Sequence, residues 1–453
     1  MTSVARTAPE PPGDPLVGHL RQFGRDPLAF FIRVAREHGG VVRFRLGPKL
    51  AHLVSDPEGV KHVLQDAYKS YAKGRPYARA RFAFGDGLIT SDGDYWRRHR
   101  KLIQPAFHKQ HFPAFTAIMA EEAAAMLDRW AAHDGALNVA KALKSLALRI
   151  SARTLFTTDI ERDVDVFERL FNEVQVWFTR GSRTGYLVPP TFPTPANLRL
   201  RRTVRELDAR IFDMISRRRS AAERPTDVLS MLMDARDEDG SALSDVELRD
   251  EVMTLLFAAH ETTASTMAWA LYTLSKYPEL ERRVRAEIDR VKIEDLAKLD
   301  LTRRVIDETL RLYPAAPIIP REVLERDTIC GCEIPAGSIV FISPYAIHRD
   351  PAHWDNPEAF DPDRFAPDIA ARRHKFVYLP FVLGPRQCIG NHFALTEMLV
   401  TIPMALQRFR FALVPGMPIG ARHMRFDEGM WMTLRAASEG ARAPRGELWS
   451  RPQ

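Results

Sequence analysis

Apolar residues recur at helical spacing through most of the stretch from about residue 95 to 313. Apolar and polar residues alternate with a period of two only in short pieces near 41 to 54 and 320 to 345. The pattern predicts a mainly α chain with a smaller β part, an α+β arrangement. Residues 39–56, "GGVVRFRLGPKLAHLVSD", alternate on either side of Gly47-Pro48 and predict a hairpin. Residues 330–345, "CGCEIPAGSIVFISPY", predict a second set of short strands divided by Gly and Pro turns. The proline-rich residues 186–200, "YLVPPTFPTPANLRL", lie between helices of the same amphipathic style and predict a loop over a cavity mouth.

The clearest helix begins at Ser244, whose partner Glu247 three places on completes a capping box, and ends near Tyr277 before Pro278. At 1.5 Å per residue it would be about 50 Å long. Its middle, "MTLLFAAHETTASTMAWALY", is apolar nearly all round, as a buried helix is. Polar groups there cost several kcal/mol unless partnered, and Glu261 as a carboxylate more so. A distant cation would satisfy a lone acid. An acid followed by two hydroxyls points further, because Thr262 can bond back to its own helix, loosen it locally and open room beside the backbone. In "DLTRRVIDETLRLYP", Glu308 and Arg311 share a helix face that Pro314 ends. On a surface such a pair contributes at most about 1 kcal/mol. Arg364, in the irregular "HRDPAHWDNPEAFDPDRF", is a candidate third member.

Composition narrows the function classes. The chain has 453 residues, 45% hydrophobic and 27% charged, which is globular rather than disordered. Length alone allows about three domains, but no linker divides the chain, so one domain spanning 1–453 is expected, with loose tails at 1–12 and about 438–453. Three cysteines are too few for a disulfide scaffold. The N-terminus lacks the apolar region of a signal peptide, and no apolar run reaches membrane-spanning length, so a cytoplasmic protein without a membrane anchor is expected. Net charge is +7, gathered in "RRHRK" (97–101), "RLRR" (199–202) and "RRR" (217–219). These runs read as solvated helix faces, and with no aromatic interleaving they speak against nucleic-acid binding.

One short stretch, "FVLGPRQCIG" at 381–390, holds a cysteine between two glycines. The segment after it places Phe393, Met398, Ile402 and Leu406 at helical spacing, so Cys388 is expected at a helix N-terminus, where the dipole and Arg386 favour thiolate. Gly384 and Gly390 remove side chains where something flat could approach the backbone. Three readings are open: a nucleophile served by His392 or His374, an axial thiolate ligand to haem iron, or an inert buried thiol. The glycines suit the second. Cys330-Gly331-Cys332, two sulfurs without a nearby His, reads as a structural turn rather than a metal site.

These residues coincide with a known pattern. "FVLGPRQCIG" resembles the haem-binding loop of the cytochrome P450 monooxygenases, F-x-x-G-x-R-x-C-x-G, at Phe381, Gly384, Arg386, Cys388 and Gly390. Glu308 and Arg311 match the family's E-x-x-R, Pro362 to Phe365 its P-[ED]-R-F, and Trp96 with Arg100 its W-x-x-x-R. Residues 258–263 match [AG]-G-x-[DE]-T-[TS], with Ala259 where the family has glycine. The resemblance runs in order from about Pro11 to Met432. It implies haem b between the long central helix and the cysteine-loop helix, with Cys388 as the iron's axial ligand and Trp96, Arg100, Arg321 and Arg386 as candidate partners of the haem propionates. Glu308, Arg311 and Arg364 would form a structural ion-pair cluster, and Glu261 with Thr262 would deliver protons to dioxygen. Phe257, Ala258, Ile318 and Met430, with Phe171, Trp177 and Phe178, would line an apolar pocket. The implied activity is insertion of one oxygen atom, by hydroxylation or epoxidation, into a hydrophobic small molecule such as a terpenoid, fatty acid or steroid. Electrons would come from NAD(P)H through a separate ferredoxin or flavodoxin and its reductase, docking on Arg97, Arg98 and Lys101 of a monomer. A peroxide-using or rearranging haem enzyme, or a haem sensor, would have no need of the acid and threonine pair.

Overall fold

The computed structural model of the protein describes residues 6–158, 163–183, 189–416, 421–422, 425–426 and 429–437. The tail expected at about 438–453 lies outside the described residues, but residues 6–12 of the tail expected to be loose at the N-terminus are packed: Arg6 pairs with Gly331 and Glu333, Ala8 is buried, and Pro9 accepts the Arg43 amide. In chain order the elements that build the site are β1 (Val41–Leu46), β2 (Lys49–Val54), β3 (Tyr71–Ala72), α1 (Arg75–Phe84), α2 (Gly93–Ile103), α3 (Phe112–Ala131), β4 (Ala136–Asn138), α4 (Val139–Phe156), α5 (Val164–Arg183), α6 (Pro195–Ser220), α7 (Asp245–Lys276), α8 (Asp300–Leu312), β5 (Ile319–Val323), β6 (Ile339–Ile342), α9 (Asn391–Arg408), β7 (Phe409–Leu413) and β8 (Trp431–Ala436).

The expected hairpin forms as β1 and β2, turning at Gly47 and Pro48. It does not stand alone. β2 takes β6 as a parallel neighbour with Leu53 opposite Phe341, and the sheet runs in the order β1, β2, β6, β5, β3. Phe30, Phe31, Phe44 and Phe341 pack as one aromatic cluster on this sheet. A second sheet, β4, β8 and β7, lies in segments where no strands were expected from the sequence. Its strands are short, and only pairing across the fold stabilises them.

α7 is the axis of the helical body. Ser244 and Glu247 form the reciprocal capping box, and the helix runs unbroken to Lys276, against α4, α6, α8 and α9. No break accompanies Thr262, because its hydroxyl donates to the Ala258 carbonyl at 2.8 Å within intact helix. The Pro-rich residues 189–194 lead into α6, with Pro195 at its first turn and Thr194 as its cap, while 184–188 lie outside the described residues.

Behind the cysteine loop, Glu308 is fully buried. Arg311 donates to both its oxygens at 2.6 and 2.7 Å, Arg364 Nε at 3.1 Å and the Asp361 amide at 2.8 Å. Arg311 also holds the carbonyls of His348, Pro357 and Ala359. His348 then donates from Nδ1 to the Arg311 carbonyl and accepts the Leu379 amide at Nε2, and burial keeps it neutral by pushing its pKa down to about 3. Removing one partner strands a buried charge. Glu308→Ala is expected to destabilise the protein by about 3–5 kcal/mol in chemical denaturation, and a loss under 1 kcal/mol would contradict the cluster's structural weight.

Candidate active site

The cysteine loop is shaped before its helix begins. Cys388 N donates to the Phe381 carbonyl at 2.9 Å and Gln387 N to Gly384 at 3.0 Å. α9 starts only at Asn391, with Gly390 as its N-cap. Cys388 therefore lies two residues ahead of the cap. Its sulfur accepts the Gly390 amide, and the nearby cation is Arg100 rather than the expected Arg386, yet burial outweighs both and pushes the thiol up. The same Cys388 has exposed surface. The rest of the chain therefore leaves this side chain uncovered.

The two glycines divide their tasks. A Cβ at Gly390 would meet nothing within 4 Å, so its face is open. Gly384, at φ +78°, would drive a Cβ into the Leu64 carbonyl, so its bare backbone serves packing rather than the approach of a flat group. Val382, a β-branched residue at φ +58°, carries the strain of this turn.

A second opening interrupts α7. Most residues from Leu248 to Leu274 are buried, but Phe257, Ala258, Ala259 and Glu261 are half-buried and Thr262 is exposed. Ala258 and Ala259 are too small to fill the space. Phe257 borders it, packed on Phe84 at 4.6 Å and Phe171 at 5.6 Å between ring centroids. Leu88 and Ile318 are half-buried, whereas Met430 is fully buried in the core. Trp177 turns its indole N–H to Asn197, and the side chain of Phe178 lies outside the described residues. Glu261 reaches Lys144 of α4 at 3.0 Å and accepts from Ser265 at 3.3 Å.

Cations collect between α2, β5 and the cysteine loop. Arg100 donates to the Gln387 carbonyl at 3.0 Å. Arg386 bonds Asp92 at 2.8 Å and the Tyr68 and Tyr71 carbonyls, and lies 5.7 Å from the Trp96 ring. Arg321 is buried, with its own neighbour's Pro320 carbonyl at 2.8 Å, and the Nε atoms of Arg321 and Arg386 have no hydrogen-bond partner. Lys73, which sequence reasoning missed, is buried beside them. Its ammonium donates to the Leu88 and Ser91 carbonyls, and burial pushes its pKa down to about 7 against the opposing pull of Asp92. The one signal for it in sequence was a lysine next to Gly74 ahead of Trp96. Several buried cations with Asp92 as the carboxylate in direct contact call for further anionic groups. Two carboxylates of a haem answer that need, an open thiol answers the iron, and the residues therefore fit the group.

Of the three cations expected to dock a partner, Arg98 bonds Asp237 and Glu247, Lys101 reaches Glu238, and Arg97 pairs with Asp94. Each already carries an acidic neighbour. Among the described residues no helix is long and apolar enough to cross a membrane, and no group of His, Cys, Asp and Glu could hold a metal ion. Cys330 and Gly331 form the tight turn of a small hairpin, both at positive φ.

The sequence profile described as Cytochrome P450 matches residues 9–432. Cyclooctat-9-en-7-ol 5-monooxygenase of Streptomyces melanosporofaciens is 36% identical, with 90% of each chain covered. Pentalenene oxygenase of Streptomyces avermitilis is 35% identical over 91% of this chain and 93% of its own. Among solved structures, the cytochrome P450DA heme domain superimposes with a TM-score of 0.84 at 27% identity, covering 96% of this chain and 98% of the other. Likeness of this extent takes in α7, the cysteine loop and the helical body around them: the chain belongs to the cytochrome P450 family, enzymes that combine a haem with molecular oxygen.

Proposed function

We propose that this chain is a single-domain, monomeric and cytoplasmic monooxygenase that hydroxylates or epoxidises a terpenoid, with electrons from NAD(P)H delivered by a ferredoxin or flavodoxin and its reductase. The observation that carries the reading is accessible surface where the core is otherwise closed: Cys388 in its loop and Thr262 in the middle of α7 are exposed, with Ala258 and Ala259 half-buried beside the latter. Haem b, when bound, supplies an iron that activates dioxygen for insertion of one oxygen atom.

The protein's part is binding, orientation and proton supply. Cys388 would ligate the iron as thiolate, a state that metal binding imposes on a thiol which burial alone keeps protonated. Arg100, Arg321, Arg386 and Trp96, joined by Lys73, would hold the propionates, and Phe381, Gly384 and Gly390 would shape the proximal face. Thr262 would offer its hydroxyl to the opening in α7 while its back-bond fixes the rotamer. Glu261, tethered to Lys144, would relay protons toward it. Phe257, Ala258 and Ile318 would border an apolar substrate, oriented by shape more than by hydrogen bonds, while Met430, with no exposed surface, would support them from the core. The terpenoid class rests on the compounds named in two relatives, cyclooctat-9-en-7-ol and pentalenene.

The dithionite-reduced protein with carbon monoxide is expected to show the strongly red-shifted Soret band of thiolate ligation, and Cys388→Ser to abolish it. A band like that of a histidine-ligated globin would refute the assignment. Polycyclic terpenes are expected to shift the resting spectrum; shifts by fatty acids or steroids alone would replace the substrate class. Thr262→Ala is expected to keep that Soret band while product per NAD(P)H falls about tenfold or more and peroxide accumulates; unchanged coupling would remove Thr262 from proton delivery.

A further inference from the structure

His99 has no exposed surface, although it lies in the basic run of α2 between Arg98 and Arg100. Its Nδ1 is 2.8 Å from Glu251 Oε1 and its Nε2 is 3.2 Å from Glu247 Oε1, so both ring nitrogens face carboxylates of α7. A neutral imidazole has one donor. The shorter contact is the one to Glu251, and the Arg98 guanidinium lies 3.4 Å from Nε2 on the other side of the ring, so the imidazole is held from both edges. Tyr95 stacks on the ring at 4.1 Å, and Arg98 donates to the same Glu247 oxygen.

Glu251 has a second task. Its Oε2 accepts the Leu88 amide at 3.1 Å, while the adjacent Asp250 accepts the Asp86 amide at 2.7 Å and Arg249 donates to the Ala83 carbonyl at 2.9 Å. Three successive residues of α7 thus hold the chain from 83 to 88. The approach is close: a Cβ at Gly85 would collide with the Asp250 carboxylate, and one at Gly87 with the Thr254 hydroxyl. Leu88 borders the proposed pocket, and on the other side of His99 its neighbour Arg100 bonds the cysteine loop. One buried residue therefore stands between the two.

We infer that His99 and Glu251 form a positioning pair that sets the segment 83–92 over the pocket and, through the same helix, seats Arg100 against the Cys388 loop. The inference rests on the haem reading above and adds to it a mechanical link between substrate wall and haem cradle. Neither residue contacts substrate. In haem-loaded protein, His99→Asn and Glu251→Gln are each expected to weaken 4-phenylimidazole, read by the Soret shift, about tenfold. Each should speed deuterium exchange in peptides spanning both 83–92 and 384–390. The double variant should be no worse than either single, as for one shared interaction. Variants that retain the wild-type affinity and exchange in both peptides would overturn the inference, as would two effects that simply add. Glu251→Gln retains an acceptor for Leu88, so it reads the charge of the pair even if His99→Asn folds poorly. A wild-type protein without a haem Soret band would overturn the haem reading and this inference with it.

Discussion

A carboxylate with no access to water is the constraint around which the proximal half is arranged. Taking Glu308 out of solvent costs several kcal/mol, and only a full set of donors offsets it. Arg311 supplies two, Arg364 one and the Asp361 amide another, so the irregular residues 355–364 must wrap the pair closely. Arg311's remaining donors fix two carbonyls of that segment and that of His348, and His348 carries the order on to Leu379. The loop that presents Cys388 starts two residues later. Its shape is thus set by hydrogen bonds behind it, and a strained Val382 can persist there because the surroundings over-determine it.

The opposite wall uses a different device. α7 is a continuous helix, so its backbone groups pair with one another even though it is buried, and space is made by small side chains rather than by breaking the helix. The exposed or half-buried polar groups at that opening have partners, Thr262 in its own helix and Glu261 in Lys144, and only the Nε2 of the neighbouring, buried His260 lacks one among the described residues of that stretch. The cation cluster is satisfied only in part, as the unpartnered Nε atoms of Arg321 and Arg386 show. Local satisfaction on one side and deficit on the other is what distinguishes a pocket for an apolar molecule from a cradle for an anionic one.

Much of this was legible in the sequence where the signal is local. The capping box of α7, the hairpin at β1 and β2, the helix after Cys388 and the five elements of the family pattern all depend on residues within one or two turns of each other. What was not legible depends on pairs far apart. Lys73 needed the Leu88 and Ser91 carbonyls to be recognised, and His99 finds its acid 152 positions away, so by type it reads as one more basic residue on a solvated face. Gly384 was assigned to the right loop for the wrong reason, because Leu64 comes from the other end of the chain. The β4, β8, β7 sheet escaped notice because β4 is only three residues long and its partner β8 comes from the far end of the chain.

The parallel pairing of β2 with β6 has a consequence for how the molecule comes into being. Leu53 waits for Phe341, Arg100 for a carbonyl 287 positions on, and Asp92 for Arg386, 294 positions on. On the ribosome, the helices from α4 to α8 can dock as they emerge, since their contacts with one another are nearer in sequence. The first ninety residues cannot settle until the last quarter of the chain has been synthesised, and loop closures of that length are slow. The nascent chain therefore spends most of its synthesis with an unpaired β1–β2 ribbon and a half-built cradle, an interval in which chaperones, rather than the fold itself, must guard the exposed phenylalanines of the N-terminal sheet.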